Sequence, residues 1–571
     1  MEICFRNYRR AVIILLLFLL TATIGVLDFT EGSSVSTEQT TVSEGAFALS
    51  VEVKKNVNVK WWKDEQNNKY YLFLPGAFQG KKLDLEIFGT EVVYIDGKKI
   101  KSGGKYRFLQ GEYTVCTDDS PDSLNYALEV MYTSEIPALF LETDSGMLDQ
   151  LHAAKDYSES GAALFLDGKG HKYFEGNIEE IHCRGNSSFE DTDKKSYTIK
   201  LEKKADLFGM GSAKKWILIA NAFDHTLLRN ATAFSMAKLL DLAYTPDAQY
   251  VDVYANGNFL GNYLLTEKIE VGKNRVSVRD LEDEVKALND NVPLDSMEFF
   301  MEPQGRLFST KGYQIPKEPD NISGGYLLEL DSSDRYGLEA SGFLTSRMQP
   351  VVFTSPKYAS YEQVSYIANR YQDFEDAIFS KDGHSPYTGA AYSDYIDMDS
   401  FARKYLLEEF VKNLDASFTS QYLYKYDDSI SDKFFAGPCW DYDKSIAASG
   451  ITNSGINLHD PVGLYAASQE KDSDIWYALY QHEDFRKEVA KIFFQEFEPQ
   501  LRKYAENMLY QNRELIAKSN DCNMIRWNIF SDAKGLAQKQ EAYMADVQEL
   551  LTFIEQRLDY LKSEWGQISY E

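Results

Sequence analysis

Residues 46–135 alternate apolar and polar positions through FALSVEVKKNVNVKWW, KYYLFLPG, KLDLEIFG, TEVVYIDGKKI, KYRFLQGEYTVCT and NYALEVMYTS, with Gly, Asn and Asp between the runs. Alternation with a period of two puts one face of a strand in a core and the other in water, and many short runs of this kind predict a β-sandwich module. From IPALFLETDSG onward, strands and helices mix. EEIHCRGNSSF (179–189) and KKSYTIKLEKK (194–204) flank a loop of small and acidic residues and are expected to pair as a hairpin, followed by a strand at KKWILIANAF (214–223). HTLLRNATAFSMAKLLDLA (225–243) carries apolar residues at helical spacing and predicts an amphipathic helix. Beyond it, AQYVDVYANGNFLGNYLLTEKIEV reads as a hairpin turning at Asn256-Gly257. Residues 286–323 are weakly periodic and rich in turn formers, so they are expected to be a loop insertion. Helical spacing returns at MDSFARKYLLEEFVKNL (398–414) and through most of 474–565.

The first residues follow a different pattern. Arg6, Arg9 and Arg10 precede AVIILLLFLLTATIGVL, 17 nearly uninterrupted apolar residues, which fits a secretory signal peptide or an uncleaved signal anchor over 1–27. The polar stretch 28–45 then reads as a tether, and the rest of the chain is expected outside the cytoplasm, secreted or anchored at the cell surface.

At 571 residues the chain is too long for one core, and its 34 Phe, 38 Tyr and 7 Trp supply apolar material for several. The net charge of −28 argues against nucleic acid as a partner. Five scattered cysteines give neither a disulfide framework nor metal spacing, and seven histidines include no H-E-x-x-H pair. No G-x-S-x-G elbow and no Walker A loop occurs, so zinc-hydrolase and serine-hydrolase chemistry lose their usual signatures.

What remains is acidic. FFAGPCWDYDKSIAAS (434–449) sets Asp441 and Asp443 on either side of one tyrosine, and Asp415 follows the helix 398–414. Taken alone, the pair fits a strand-end turn as well as a metal site. The order RGNSS, KKSYTIKL, LLRNATAF, VYANGNFLGNYLLTEKI, GGYLLELD, NLDASFTSQYLY and WDYDKS resembles the CotH family, the spore coat protein H-type atypical protein kinases, over roughly residues 137–450.

That resemblance implies a kinase-like, two-lobed α+β domain over 136–480, with insertion 286–323 and a helical C-terminal part at 481–571, behind the all-β sandwich module. It implies ATP with Mg²⁺ or Mn²⁺, and transfer of the γ-phosphoryl group to Ser or Thr of surface or secreted proteins. Asp415 resembles the catalytic-loop aspartate that accepts or orients the substrate hydroxyl proton. Asp441 resembles the metal-binding aspartate, and Asp443 is either a second ligand or a group behind it. Lys200 is similar to the strand lysine that meets the nucleotide phosphates. The loop Arg184, Gly185, Asn186, Ser187 and Ser188 looks like a phosphate-side loop, where small residues and free N–H groups let a phosphate approach. Arg229 and Glu267 are placed with the nucleotide contacts, Glu267 at the linker between lobes. Gln421 stands where the family pattern has Asn, as a metal ligand one carbon longer. A second reading is therefore carried forward, a catalytically inactive kinase-like adhesion or assembly module.

Overall fold

The computed structural model describes residues 47–570 except 119, 121–123, 418, 449–456 and 469–472. The expected export segment and tether lie outside the described residues. No helix among the described residues is long and apolar enough to cross a membrane.

The alternation of the first part is realised as two sheets, one of four strands and one of six, between Ala48 and Tyr132. In Leu83–Phe88 the residues Leu83, Leu85 and Ile87 are buried while Asp84 and Glu86 are only half-buried, and Leu85 sits opposite Val51 of Ala48–Lys54. Pairing is not uniformly antiparallel, because Asn125–Tyr132 runs parallel to Lys69–Leu74.

The next seven strands, from Ala138–Thr143 to Asn258–Glu267, close into a barrel. Closure is completed by a parallel pairing of Ala138 with Asp252, which leaves no free edge. Leu139, Phe165, Ile199, Trp216, Val253 and Tyr263 fill its interior. The expected hairpin forms from Lys172–Arg184 and Ser196–Asp206, with Arg184 opposite Ser196, so RGNSS is its connection. Asn256 (φ 51°) and Gly257 (φ 81°) make the second turn, both with the positive φ that a tight twisted hairpin needs.

The helix expected over 225–243 is shorter and more buried. It spans Arg229–Leu239 with Asn230, Thr232, Ala233, Phe234, Met236 and Ala237 all buried, so it has no broad wet face. Its start is delayed because Asp224 accepts the N–H groups of Thr226 (2.9 Å) and Arg229 (2.8 Å) in a turn that puts Leu227 at φ 62°.

A second, seven-stranded sheet begins with the hairpin Phe299–Gln304 and Leu307–Tyr313. The segment 286–323, expected to be loop, thus carries two strands. Phe299–Gln304 lies at the sheet edge with most positions exposed, including Phe299 and Met301, so it lacks the alternation that would have marked it.

Tyr361–Ile378 and Met398–Val411 pack on this sheet, the tail helices Glu483–Ile492 and Gly535–Trp565 pack on Met398–Val411, and Glu498–Arg526 lies against the barrel strand Asn258–Glu267. One apolar core joins them to Ile217, Ile219 and Leu264 on the outside of the barrel. Within that core, Arg557 and Glu409 form an ion pair at 2.6 Å with neither side chain exposed. Cys183, Cys439 and Cys522 are buried free thiols, and Cys116 is a half-buried one.

From Ala48 onward the chain is one compact unit. The β-module touches the barrel hairpin, with Lys60 N donating to Gly257 O at 2.8 Å and the rings of Phe73 and Phe259 5.0 Å apart. Arg526 lies over the rings of Trp62 and Trp527, at 4.8 and 4.4 Å.

Candidate active site

Tyr442 explains the spacing of the two aspartates. It is fully buried, its hydroxyl donates to Glu408 Oε1 at 2.6 Å, and its backbone N–H is held by Asn230 Oδ1 at 2.9 Å. Trp440 is also buried, its ring 6.2 Å from that of Phe234. Alternate residues therefore anchor the loop inward, and Asp441 and Asp443 between and beyond them stay partly exposed. Asp441 has φ 67°, a left-handed conformation that costs energy in a non-glycine residue and is held here by the anchored neighbours.

Asp415 is brought to the same place by the end of Met398–Val411. Lys412 stops that helix at φ 47°, Asn413 donates to Glu408 Oε2 at 2.8 Å, and Leu414 N donates to Lys444 O at 3.1 Å. One buried glutamate, Glu408, thus braces both loops. The aspartates feel each other: burial and then the charge of Asp441 push the Asp415 carboxyl up to about 7, and the same two causes raise Asp443. Lys444 opposes both shifts.

The RGNSS loop faces these carboxylates. The Arg184 guanidinium lies 5.1 Å from the Trp440 ring, and Asp441 is the carboxylate that most favours its charge. Gly185 has φ 97°, a conformation that strains any larger residue, and a Cβ there would stand 2.0 Å from Ser188 Oγ, so that hydroxyl would also have to swing away. Asn186 Oδ1 accepts from Lys155 at 2.6 Å, and Ser187 Oγ accepts from Lys444 at 3.4 Å.

Two expected residues are engaged elsewhere. Lys200 is bound by Glu179 at 2.7 Å on the barrel wall. It lies opposite Glu180, while Ser196 lies opposite Arg184. Four residues of strand, roughly 13 Å at ~3.3 Å per residue, therefore separate its Cα from the rung nearest the aspartates. Arg184, not Lys200, is the cation of this strand pair whose charge Asp441 favours. Lys200→Ala is accordingly expected to leave label transfer from ATP within about twofold of wild type, because a partly exposed pair on that wall contributes little; a complete loss of transfer would restore the original assignment.

Arg229 is a brace. It is buried, pairs with Asp224, and donates to the carbonyl oxygens of Ser445 (2.9 Å), Ile446 (3.1 Å) and Ala447 (3.0 Å), fixing the chain just after Asp443. Its guanidinium has little left to offer a nucleotide.

Glu267 ends the strand Asn258–Glu267, pairs with Arg275, and accepts from Asp247 N at 2.9 Å. It lines a cavity of about 300 Å³ with Met210, Tyr244, Lys268, Ile269 and Pro438. Lys268 was not singled out in the sequence; burial holds its ammonium down to about 8. Glu329 of GGYLLELD was also missed. Burial and Asp331 raise its carboxyl to about 8, and it faces Tyr422, Arg184 and Asp441.

Among the described residues no three His, Cys, Asp or Glu side chains enclose an ion by themselves. Mg²⁺ asks for less, since it commonly takes one or two carboxylates and fills its remaining positions with water and phosphate oxygens. Asp441 and Asp443 supply hard oxygen donors, and the mutual repulsion that raises Asp415 and Asp443 is the condition a divalent cation relieves. Gln421 begins the strand Gln421–Lys425, is 1% exposed, and neither atom of its amide has a partner. Ser420 Oγ beside it lies 3.4 Å from Asp441 Oδ2.

No curated protein matches the chain. The family model described as CotH kinase protein matches residues 181–561, which takes in RGNSS, Asp415, Asp441 and Asp443 and well over half of the sequence, and the chain belongs to that family.

Proposed function

We propose that the protein is an extracytoplasmic atypical protein kinase that transfers the γ-phosphoryl group of ATP to Ser or Thr hydroxyls of surface or secreted proteins. The observation that carries this reading is the meeting of Asp415, Asp441 and Asp443 with the glycine-containing RGNSS loop. The barrel serves as the smaller lobe, the second sheet with its helices as the larger one, and the cavity at Glu267 and Lys268 takes the base. Residues 1–27 export the chain or anchor it, 28–45 form the tether, and the β-module over 46–135 positions the enzyme at the surface.

In the transfer, the substrate hydroxyl oxygen bonds to the γ-phosphorus, the bond from that phosphorus to the bridging oxygen breaks, and ADP leaves with the electron pair. Asp415 orients the hydroxyl and takes its proton, which passes to solvent. Arg184 and the backbone of Gly185–Ser188 hold phosphate oxygens. Asp441 and Asp443, together with the Gln421 amide, would hold a Mg²⁺ or Mn²⁺, which when bound would neutralise phosphate charge. The test uses γ-labelled and α-labelled ATP with the full chain and a Ser-rich acceptor. Transfer of the γ label alone supports the reading. Transfer of α label would make the protein a nucleotidyl transferase, and transfer of neither would leave a kinase-like binding module.

Cation binding is expected to depend on pH. The ordinary value for an aspartate is 3.8, and the Asp415 carboxyl is held up to about 7, so the folded, cation-free protein keeps a proton that the unfolded chain has released. The stability this proton confers is full below about pH 4 and is lost as pH rises towards 7. A divalent cation held by Asp441 and Asp443 offsets the negative charge that helps to keep that proton, so Mn²⁺ is expected to bind more tightly at pH 8 than at pH 6, by at most about tenfold per pH unit below 7. Thermal-shift titration with Mn²⁺ at both values checks this, and equal affinities would show that Asp415 does not sense the ion.

A further inference from the structure

Lys444, the residue after the second aspartate of WDYDK, has no assigned task, and its surroundings are unusual. Its ammonium lies 4.2 Å from the centre of the Phe223 ring and makes one long hydrogen bond, 3.4 Å to Ser187 Oγ. No ion pair of Lys444 within 4 Å is found among the described residues, although the charges of both Asp415 and Asp443 respond to it. The chain on either side of it is fixed: Tyr442 is anchored before it, Arg229 holds residues 445–447 after it, and its own carbonyl accepts from Leu414.

An ammonium has three donors, and Lys444 is half-exposed, so the donors it does not give to Ser187 are open to water and can exchange it for a ligand. The fixed chain around it sets this cation between the loop expected to hold phosphates and the carboxylate expected to orient the acceptor. An anion with several oxygens arriving between Ser187 and Asp415 would take up those donors. We infer that Lys444 contacts the phosphoryl group being transferred, donating to a γ-phosphate oxygen and stabilising the charge on that group as the bridging bond breaks. The inference rests on the proposed phosphoryl transfer. It adds a catalytic residue beyond Asp415, and it predicts that the site distinguishes nucleoside triphosphate from diphosphate.

The test compares full-length wild type with Lys444→Met and Lys444→Arg. The affinities of ADP and of a non-hydrolysable ATP analogue are measured with Mn²⁺ by calorimetry, and γ-label transfer is followed separately. The methionine variant is expected to lose about tenfold or more in analogue affinity while ADP affinity changes by less than about threefold, with kcat down about 10²-fold and arginine restoring part of each. If Lys444 merely braces the Ser187 loop, ADP and analogue affinities fall together, and that result overturns the inference, as does an unchanged ratio with unchanged transfer. A wild-type protein that binds both nucleotides but transfers nothing would remove the kinase reading and leave the affinity ratio to decide the contact. A wild type that binds neither nucleotide with Mg²⁺ or Mn²⁺ would overturn both.

Discussion

Asp441→Asn is expected to abolish γ-label transfer, lowering kcat by about 10³-fold or more, while the protein stays folded. The scale is that of removing one charge-stabilising group from phosphoryl transfer, where a single arginine is worth ~10³–10⁵. The substitution keeps the shape of the side chain and removes its charge, and Asp441 is partly exposed, so the fold is expected to hold. It also takes away the charge that most favours the Arg184 cation and helps to raise Asp415 and Asp443. The carboxyl of Asp415 should then titrate lower, and the pH dependence of Mn²⁺ binding should flatten along with the loss of affinity. Transfer measured with saturating Mn²⁺, alongside a thermal unfolding curve, checks both parts. Wild-type rates in the variant would mean that Asp441 holds no metal.

The largest effect on stability is expected at the opposite side of the catalytic-loop helix. Arg557 of Gly535–Trp565 donates to Glu409 Oε1 at 2.6 Å and to Glu409 O at 2.8 Å, and neither residue has exposed side-chain surface. Glu409 also accepts from Tyr465 N at 2.6 Å and Tyr405 Oη at 3.0 Å. Arg557→Ala strands the carboxylate in the core, and breaking one side of a buried pair costs about 3–5 kcal/mol. Because Glu409 follows Glu408, which braces both aspartate loops, transfer should fall with stability. The double variant Glu409→Gln with Arg557→Met removes both charges and is expected to recover much of the loss. Chemical denaturation of the three proteins measures this, and an unaltered midpoint for Arg557→Ala would show that the pair is not coupled to the fold.

The elements that announce themselves in the sequence are those whose environment is two-sided. Leu83–Phe88 alternates because one face meets a core and the other meets water, and Asn256-Gly257 is legible because only a few residues tolerate φ above zero. Arg229–Leu239 was found but misread, since a helix surrounded by other elements has no wet face to complete the pattern. Phe299–Gln304 escaped for the converse reason, having little buried surface of its own.

At the site, WDYD was legible as paired carboxylates, and the buried Tyr442 shows why they are separated by one residue. Lys200 lies four residues along the strand pair from Arg184, a separation the sequence did not show, because period-two alternation tells which face a strand residue occupies and says nothing of how far along the strand the other loops arrive. Arg184 and Lys200 share a strand pair but not a neighbourhood. Lys268, Glu329 and Lys444 carried no local signal, because each acquires its meaning from segments distant in sequence: Lys444 from Ser187 and Phe223, Glu329 from Tyr422 and Arg184.

The β-module is bonded to the barrel hairpin at Gly257, packs its Phe73 ring at a tilt on Phe259 and is tied by Trp62 to Arg526. A bead on a string would let the catalytic cleft sweep through many orientations. A docked module instead makes the two a single lever with one bearing, so any macromolecule gripped by the module is carried to the cleft at a fixed distance and angle. In the proposed kinase, an acceptor protein held by the module would be chosen by where its hydroxyl sits, more than by the residues that flank it.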